Sequence, residues 1–180
     1  MARPGDSSSQ EARIEGYLDR ARLIYGTLED PDFGFTARAF DERPHRDLVA
    51  KLAEIVEVED MTDLNDNVCF DYGLVRRRAE WKLKLSMVGP YAMLLRVTRG
   101  WPRRFRILSV EVIEEPAAGT EQAIAELVRE AGFTMVSAED AEYPVRFNAS
   151  GTEAVDGPLY RVLFSTIPEG VEELSWHCRH

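Results

Sequence analysis

A chain of 180 residues with 44% hydrophobic and 9% aromatic side chains holds enough apolar material for one packed domain, which argues against wholesale disorder. Its net charge of −10 argues against a general nucleic-acid or anionic-membrane binder and is compatible with a basic partner. The two cysteines, Cys69 and Cys178, form no disulfide framework, "MARPGDSSSQEAR" lacks the apolar stretch of a signal peptide, and no run approaches the ~18 apolar residues of a membrane span, so a cytoplasmic location is expected.

The expected organisation is a flexible lead over residues 1–8 and a single α+β domain over 9–180. Ser8 and Glu11 have the spacing of a capping box. Behind them Ile14, Tyr17, Leu18, Ala21, Ile24, Tyr25 and Leu28 recur at three- and four-residue steps, which predicts an amphipathic helix ending near Glu29 or Asp30, before Pro31. "DFGFTARAF" alternates Phe33, Phe35, Ala37 and Ala39 and reads as a short strand; a kinase would need a glycine loop and a lysine strand as well. Pro44 opens a second helix with Leu48, Leu52, Ile55 and Val56 inward.

Next comes "EIVEVEDMTDLND" (54–66), with six acids and no base. It lacks the glycine and the alternating ligands of an EF-hand, so it reads as a solvated acidic helix end. As an electrostatic surface it offers Glu57, Glu59, Asp60 and Asp63 as candidate contacts for a partner.

The middle of the chain reads as an antiparallel meander. With residues 76–79 as a turn, Leu74 faces Trp81, Tyr72 faces Leu83, Phe70 faces Leu85 and Val68 faces Met87, and Asp71 meets Lys84 on the other side. The strand over 91–97 is expected to turn Tyr91, Met93, Leu95 and Val97 to the same inward face. The alternation shifts phase around Leu108 and Ser109, which predicts a bulge. A third helix is expected from Thr120 as N-cap to Gly132, with Ile124, Leu127, Val128 and Ala131 on one face. "FTMV" and "LYRVLFS" read as strands, separated by the polar loop "NASGTEAVDGP". The fold expected is an antiparallel sheet of about five to six strands with helices on one face.

Charge is unevenly spread. Residues 76–110 carry ten lysines and arginines against the single acid Glu80, while the other 145 residues hold 12 bases and 31 acids. In the register above, Lys82, Arg96 and Arg106 fall in one cross-strand row away from the core. That row is a candidate anion or partner patch, with pairing to acids or plain solvation as the ordinary alternatives. Trp101 beside the basic turns could stack on a base, but no RNA-binding signature accompanies it.

Catalytic signals are absent: there is no G-x-S-x-G, no G-x-G-x-x-G and no phosphate-binding P-loop. His45 at a helix start reads as an ordinary surface histidine, and a Cys69–His45 dyad has no support in the sequence. His177, Cys178 and His180 are metal-ligand types at a chain end without further partners. No catalytic residue, cofactor or metal is therefore expected. Tyr72, Trp81 and Tyr91, all expected inward, are candidates to line a ligand cavity between sheet and helices.

"LSMVGPYAMLLRV" (85–97), "AGFTMV" and "LYRVLFS" resemble the layout of small uncharacterised bacterial proteins, some of them of the immunity-protein type found in polymorphic toxin systems. The resemblance covers roughly the last 110 residues, without a diagnostic motif or a functional residue to carry over. It implies a helix-flanked antiparallel sheet whose acidic surface plugs a secreted basic toxin. The expected function is accordingly a protein-interaction module of this kind. The alternative is a small-ligand-binding domain or an enzyme without a recognisable motif. Nucleic acid and membrane are not expected as partners.

Overall fold

The computed structural model describes residues 6–99, 107–149 and 153–165. Its elements are, in chain order, α1 (Asp6–Tyr25), α2 (Gly34–Glu42), α3 (Arg46–Ala53), β1 (Glu57–Asp60), β2 (Cys69–Arg76), β3 (Ala79–Ser86), β4 (Tyr91–Arg99), β5 (Ile107–Val112), α4 (Thr120–Glu130), β6 (Thr134–Met135), α5 (Ala138–Ala141), β7 (Pro144–Phe147), β8 (Val155–Pro158) and α6 (Leu159–Leu163). The fold is α+β. Strands β1 to β5 pair in chain order as an antiparallel sheet, and β6 adds a sixth strand that pairs parallel to the start of β4. β7 and β8 form a separate hairpin.

The hairpin register is the one expected from parity: Leu74 lies opposite Trp81, Tyr72 opposite Leu83, Phe70 opposite Leu85 and Asp71 opposite Lys84. The ladder ends at Cys69 opposite Ser86: Met87 N–H still donates to the Val68 carbonyl at 2.9 Å, but Val68 packs with Cys69 on the other side and not, as expected, with Phe70. Between β4 and β5 the register slips where Thr98 pairs with Ser109 and Arg99 with Ile107, leaving Leu108 as the extra residue of the expected bulge.

The register of β4 differs from expectation. Trp81 lies opposite Arg96 and Leu83 opposite Leu94, so Ala92, Leu94 and Arg96 share the Trp81 face while Tyr91, Met93 and Leu95 lie on the other. The cause is that both faces of the sheet are covered, where one was expected. Leu48 and Leu52 of α3 and Ile124, Ala125 and Val128 of α4 pack on the face of Phe70, Tyr72, Leu74, Trp81, Leu83 and Leu85. Ile14, Tyr17, Ala21 and Tyr25 of α1, with Leu159, Tyr160, Val162 and Leu163 of α6, pack on the face of Cys69, Met93 and Leu95. A strand buried on both sides has apolar residues at every position, so a period of two no longer marks an inside.

Three segments take a conformation other than the expected one. "DFGFTARAF" is the helix α2, not a strand: Asp32 Oδ1 accepts the Gly34 N–H at 2.7 Å at its start, and Phe33 and Phe35 meet the Tyr25 ring edge-on with centroids 5.5 and 5.3 Å apart. "LYRVLFS" contains the helix α6, not a strand, in a stretch buried on all sides. The acidic stretch is not a helix end, since α3 stops at Ala53 and Glu57–Asp60 is the strand β1.

Boundaries shift as well. α1 takes in residues 6–8 of the expected lead, so Ser8 lies inside it, and it ends at Tyr25 where Gly26 adopts φ +81 and returns its N–H to the Arg22 carbonyl. A positive φ costs glycine nothing, which makes Gly26 the stop. Thr120 is the first residue of α4, Gly119 is its N-cap, and Gly132 at φ +89 follows its end.

Candidate functional site

α3 crosses the β1–β2 end of the sheet and leaves a groove of about 450 Å³ between helix and strands. Its lining is mostly apolar: Val49, Ala50 and Ala53 from α3, Val58 from β1, and Phe70 and Tyr72 from β2, whose rings stack with centroids 6.4 Å apart. Tyr72 reaches it because even-numbered residues of β2 face α3. Burial pushes its phenol up.

Four polar side chains, Arg43, His45, Arg46 and Asp60, meet at the groove. Arg43 and Asp60 form an ion pair, and the Arg43 guanidinium carbon lies 3.9 Å from the centre of the Phe40 ring and 5.7 Å from that of Phe70. Burial works against the Asp60 carboxylate, but hydrogen bonds from Thr62, whose N–H is 3.0 Å from Oδ1, and from Arg43 outweigh it and lower its pKa. His45 sits edge-on to Phe133 and Phe70, with centroids 4.8 and 5.7 Å away, and burial pushes its pKa down, which favours the neutral ring.

The local sequence explains why Arg43 is where it is. The residue before a proline avoids the right-handed helical region, so α2 must end ahead of Pro44. Arg43 takes the left-handed conformation instead, φ 47 and ψ 61, and donates its N–H to the Ala39 carbonyl at 3.0 Å. A non-glycine residue there is strained by roughly 1–2 kcal/mol. Local strain of this kind gathers where surrounding structure holds a side chain in place.

The four acids expected at a partner surface come together along this edge. Glu57, Glu59 and Asp60 are exposed on β1, and Asp63 is exposed in the loop that follows. Asp60 and Val58 face the groove; Glu57 and Glu59 face the other way, opposite Val75 and Gly73. Among the described residues Glu57, Glu59 and Asp63 have no ion pair, whereas Asp60 is engaged by Arg43. The outer edge of β1 pairs with no described strand.

The expected cross-strand row of Lys82, Arg96 and Arg106 does not form. Lys82 and Arg96 lie on opposite faces of the sheet, and Arg106 is outside the described residues, as are Trp101, Arg103 and Arg104. Lys84, on the Lys82 side, is buried with its Nζ 2.7 Å from Asp71 Oδ2, and Lys82 Nζ lies 3.8 Å from the same oxygen. Arg96 donates from Nε and Nη2 to the two oxygens of Glu121, both at 2.7 Å, and from Nη1 to Glu111 at 3.0 Å. Much of the basic segment is thus neutralised internally.

Of the three aromatics expected around one cavity, only Tyr72 lines the groove. Trp81 is on the same face but further along, donating its indole N–H to Glu121 Oε1 at 2.8 Å. Tyr91 is on the opposite face, edge-on to Tyr17 at 4.9 Å. Cys69 and His45 are likewise separated by the sheet: Cys69 shares the α1 face, is fully buried, and has its thiol pushed up to about 12 by burial. Arg43, Phe70 and His45 were not expected at a site, and the Arg43–Pro44–His45 run, breaking one helix and opening the next, was the available signal.

No group of three or more His, Cys, Asp or Glu among the described residues could hold a metal ion, and His177, Cys178 and His180 lie outside those residues. No helix of the described residues is long and apolar enough to cross a membrane. Comparison with protein-family models, with curated proteins and with solved structures found no match.

Proposed function

We propose that this chain is a protein-interaction module, a cytoplasmic, bacterial immunity-type inhibitor that docks a basic toxin domain on the acidic edge of its sheet. The observation that carries the reading is β1: an edge strand with no described partner on its outer side, displaying the unpaired carboxylates Glu57 and Glu59, with Asp63 just beyond. A free strand edge offers a row of backbone donors and acceptors, and acidic side chains on it exclude acidic partners while attracting basic ones. The neighbouring groove supplies the apolar pocket in which such an interface seats an anchoring side chain.

The test uses association kinetics, because complementary surface charge acts mainly on encounter. With the captured partner, Glu57→Gln/Glu59→Gln/Asp63→Asn should slow association and flatten its dependence on salt, while the unfolding midpoint stays that of the parent. Unchanged rates and salt slope would remove β1 from the interface.

A second reading, a small-ligand site in the groove, is favoured by the Arg43–Asp60 pair over the Phe40 and Phe70 rings. A compact apolar ligand bearing a carboxylate could take the place of Asp60 on Arg43. A bound small molecule in the purified protein, lost on Arg43→Ala, would favour this reading.

A further inference from the structure

Within the basic segment the described arginines that form no ion pair, Arg76, Arg77 and Arg78, adjoin one another at the tip of the β2–β3 hairpin. Arg76 pairs with Ala79, so Arg77 and Arg78 form a two-residue tip, and Arg77 takes φ 59. Asparagine or glycine fits such a position without strain. Here an arginine occupies it, between two further arginines.

Two adjoining cavities, of about 400 and 550 Å³, share Arg77, Arg78, Ala79, Trp81 and Glu121 in their walls. Arg96 and Arg99 close one side, and the start of α4 closes the other. The carboxylates within are spent. Glu121 accepts from Trp81, twice from Arg96 and from the Ala117 N–H, and Glu80 accepts from Arg99. Arg76 donates to Thr120 Oγ1 at 2.9 Å, which holds it against the cavity wall. Arg77 and Arg78 are exposed and have no acceptor among the described residues. Glu57 lies beside Arg76 and Arg77 at the end of β1 but forms no ion pair with either.

We propose that this hairpin tip binds a small phosphate-bearing ligand, held by Arg77 and Arg78 with Arg76 at the rim. Guanidinium forks match phosphate oxygens in a bidentate geometry, and cavities of this size hold small molecules. A nucleic-acid strand fits less well. It needs exposed aromatic faces to stack on, and Trp81 is 5% exposed with its indole N–H already engaged.

The test is calorimetric titration at constant ionic strength with three probes: inorganic pyrophosphate, ATP and a short single-stranded RNA. Pyrophosphate should bind the parent with one-to-one stoichiometry. Arg77→Gln/Arg78→Gln should weaken it at least about tenfold, as loss of charge-assisted contacts would. Glu57→Gln should tighten it by removing a nearby competing charge. Both variants lie on exposed positions, and an unchanged thermal midpoint without ligand shows that they fold. ATP binding about as tightly as pyrophosphate assigns recognition to the phosphates alone; ATP binding more tightly assigns it to a nucleotide; both uphold the site. Failure of pyrophosphate and ATP alike to saturate, equal affinity in the arginine variant, or RNA binding far above both small probes would overturn it.

Discussion

Arg43, the last residue before Pro44, reaches across the mouth of the groove to pair with Asp60 on the edge strand. It does so from a left-handed backbone conformation, so the contact at the site and the strain in the chain belong to one residue. The two can be separated by substitution. Arg43→Ala removes the contacts and keeps the strain, whereas Arg43→Gly removes both. The glycine variant should therefore be more stable than the alanine variant by about 1 kcal/mol, read as a difference in denaturant midpoint at equal slope. Equal stabilities would mean that the αL conformation carries no cost here.

Trp81 is buried against α4 and holds Glu121 through its indole N–H. Trp81→Ala should cost on the order of 3–5 kcal/mol by urea unfolding, from lost burial and the cavity left behind. A loss below about 1 kcal/mol would place the side chain at the surface.

The Lys84–Asp71 pair lies between the sheet and α6. Burial works against the Lys84 ammonium, but its neighbours Cys69, Tyr160 and Asp71 raise its pKa above the ordinary value. Burial pushes the Cys69 thiol and the Tyr160 phenol each up to about 12, and Asp71 Oδ2 lies 2.7 Å from Lys84 Nζ. Lys84→Met should then cost about 3–5 kcal/mol by stranding a buried carboxylate, and Lys84→Met/Asp71→Leu should recover most of it. A double variant no more stable than the single one would show that the pair adds more than its mutual neutralisation.

Stability should decline with acid in two pH windows, and both groups act in the same direction. The His45 pKa is lowered from 6.5 by burial, so its contribution is complete above that value and declines as pH falls below it. Arg96 chiefly, against the opposing effect of burial, lowers Glu121 from 4.5 to about 2, with Trp81 and the Ala117 N–H assisting. The Glu121 contribution is complete above pH 4.5 and is lost as pH falls towards about 2. Denaturant midpoints followed against pH should show both stages, and His45→Phe should remove only the upper one. An upper stage that survives in His45→Phe would belong to another group.

The sequence was most legible where one side of a strand differs from the other. In β2 and β3 the alternation of Phe70, Tyr72 and Leu74 with Asp71 and Gly73 admits a single register, and that register forms. In β4 the run Ala92–Met93–Leu94–Leu95 is apolar at both parities, and only Arg96 marks a face. Its partner Glu121 is 25 residues further on, so the sign of that mark was hidden. The same ambiguity misplaced α6, a short buried run that is apolar apart from Arg161 and whose helix follows Pro158 as N-cap. In α2 the steps from Phe35 to Ala39 and from Thr36 to Phe40 carried a helical period that the Phe33–Phe35 alternation masked. The groove joins residues from three elements, and no local pattern reveals such a meeting.

The central claim is that the β1 edge receives a basic protein. The direct measurement is quantitative affinity capture from native lysate on the parent and on Glu57→Lys/Glu59→Lys/Asp63→Lys, followed by hydrogen exchange on the complex. The account predicts a basic protein retained by the parent, released by salt and lost from the charge-reversed variant, with exchange slowed over Glu57–Asp60 when it is bound. A partner retained equally by both proteins, or a complex in which β1 exchanges as fast as in the free chain, would contradict it.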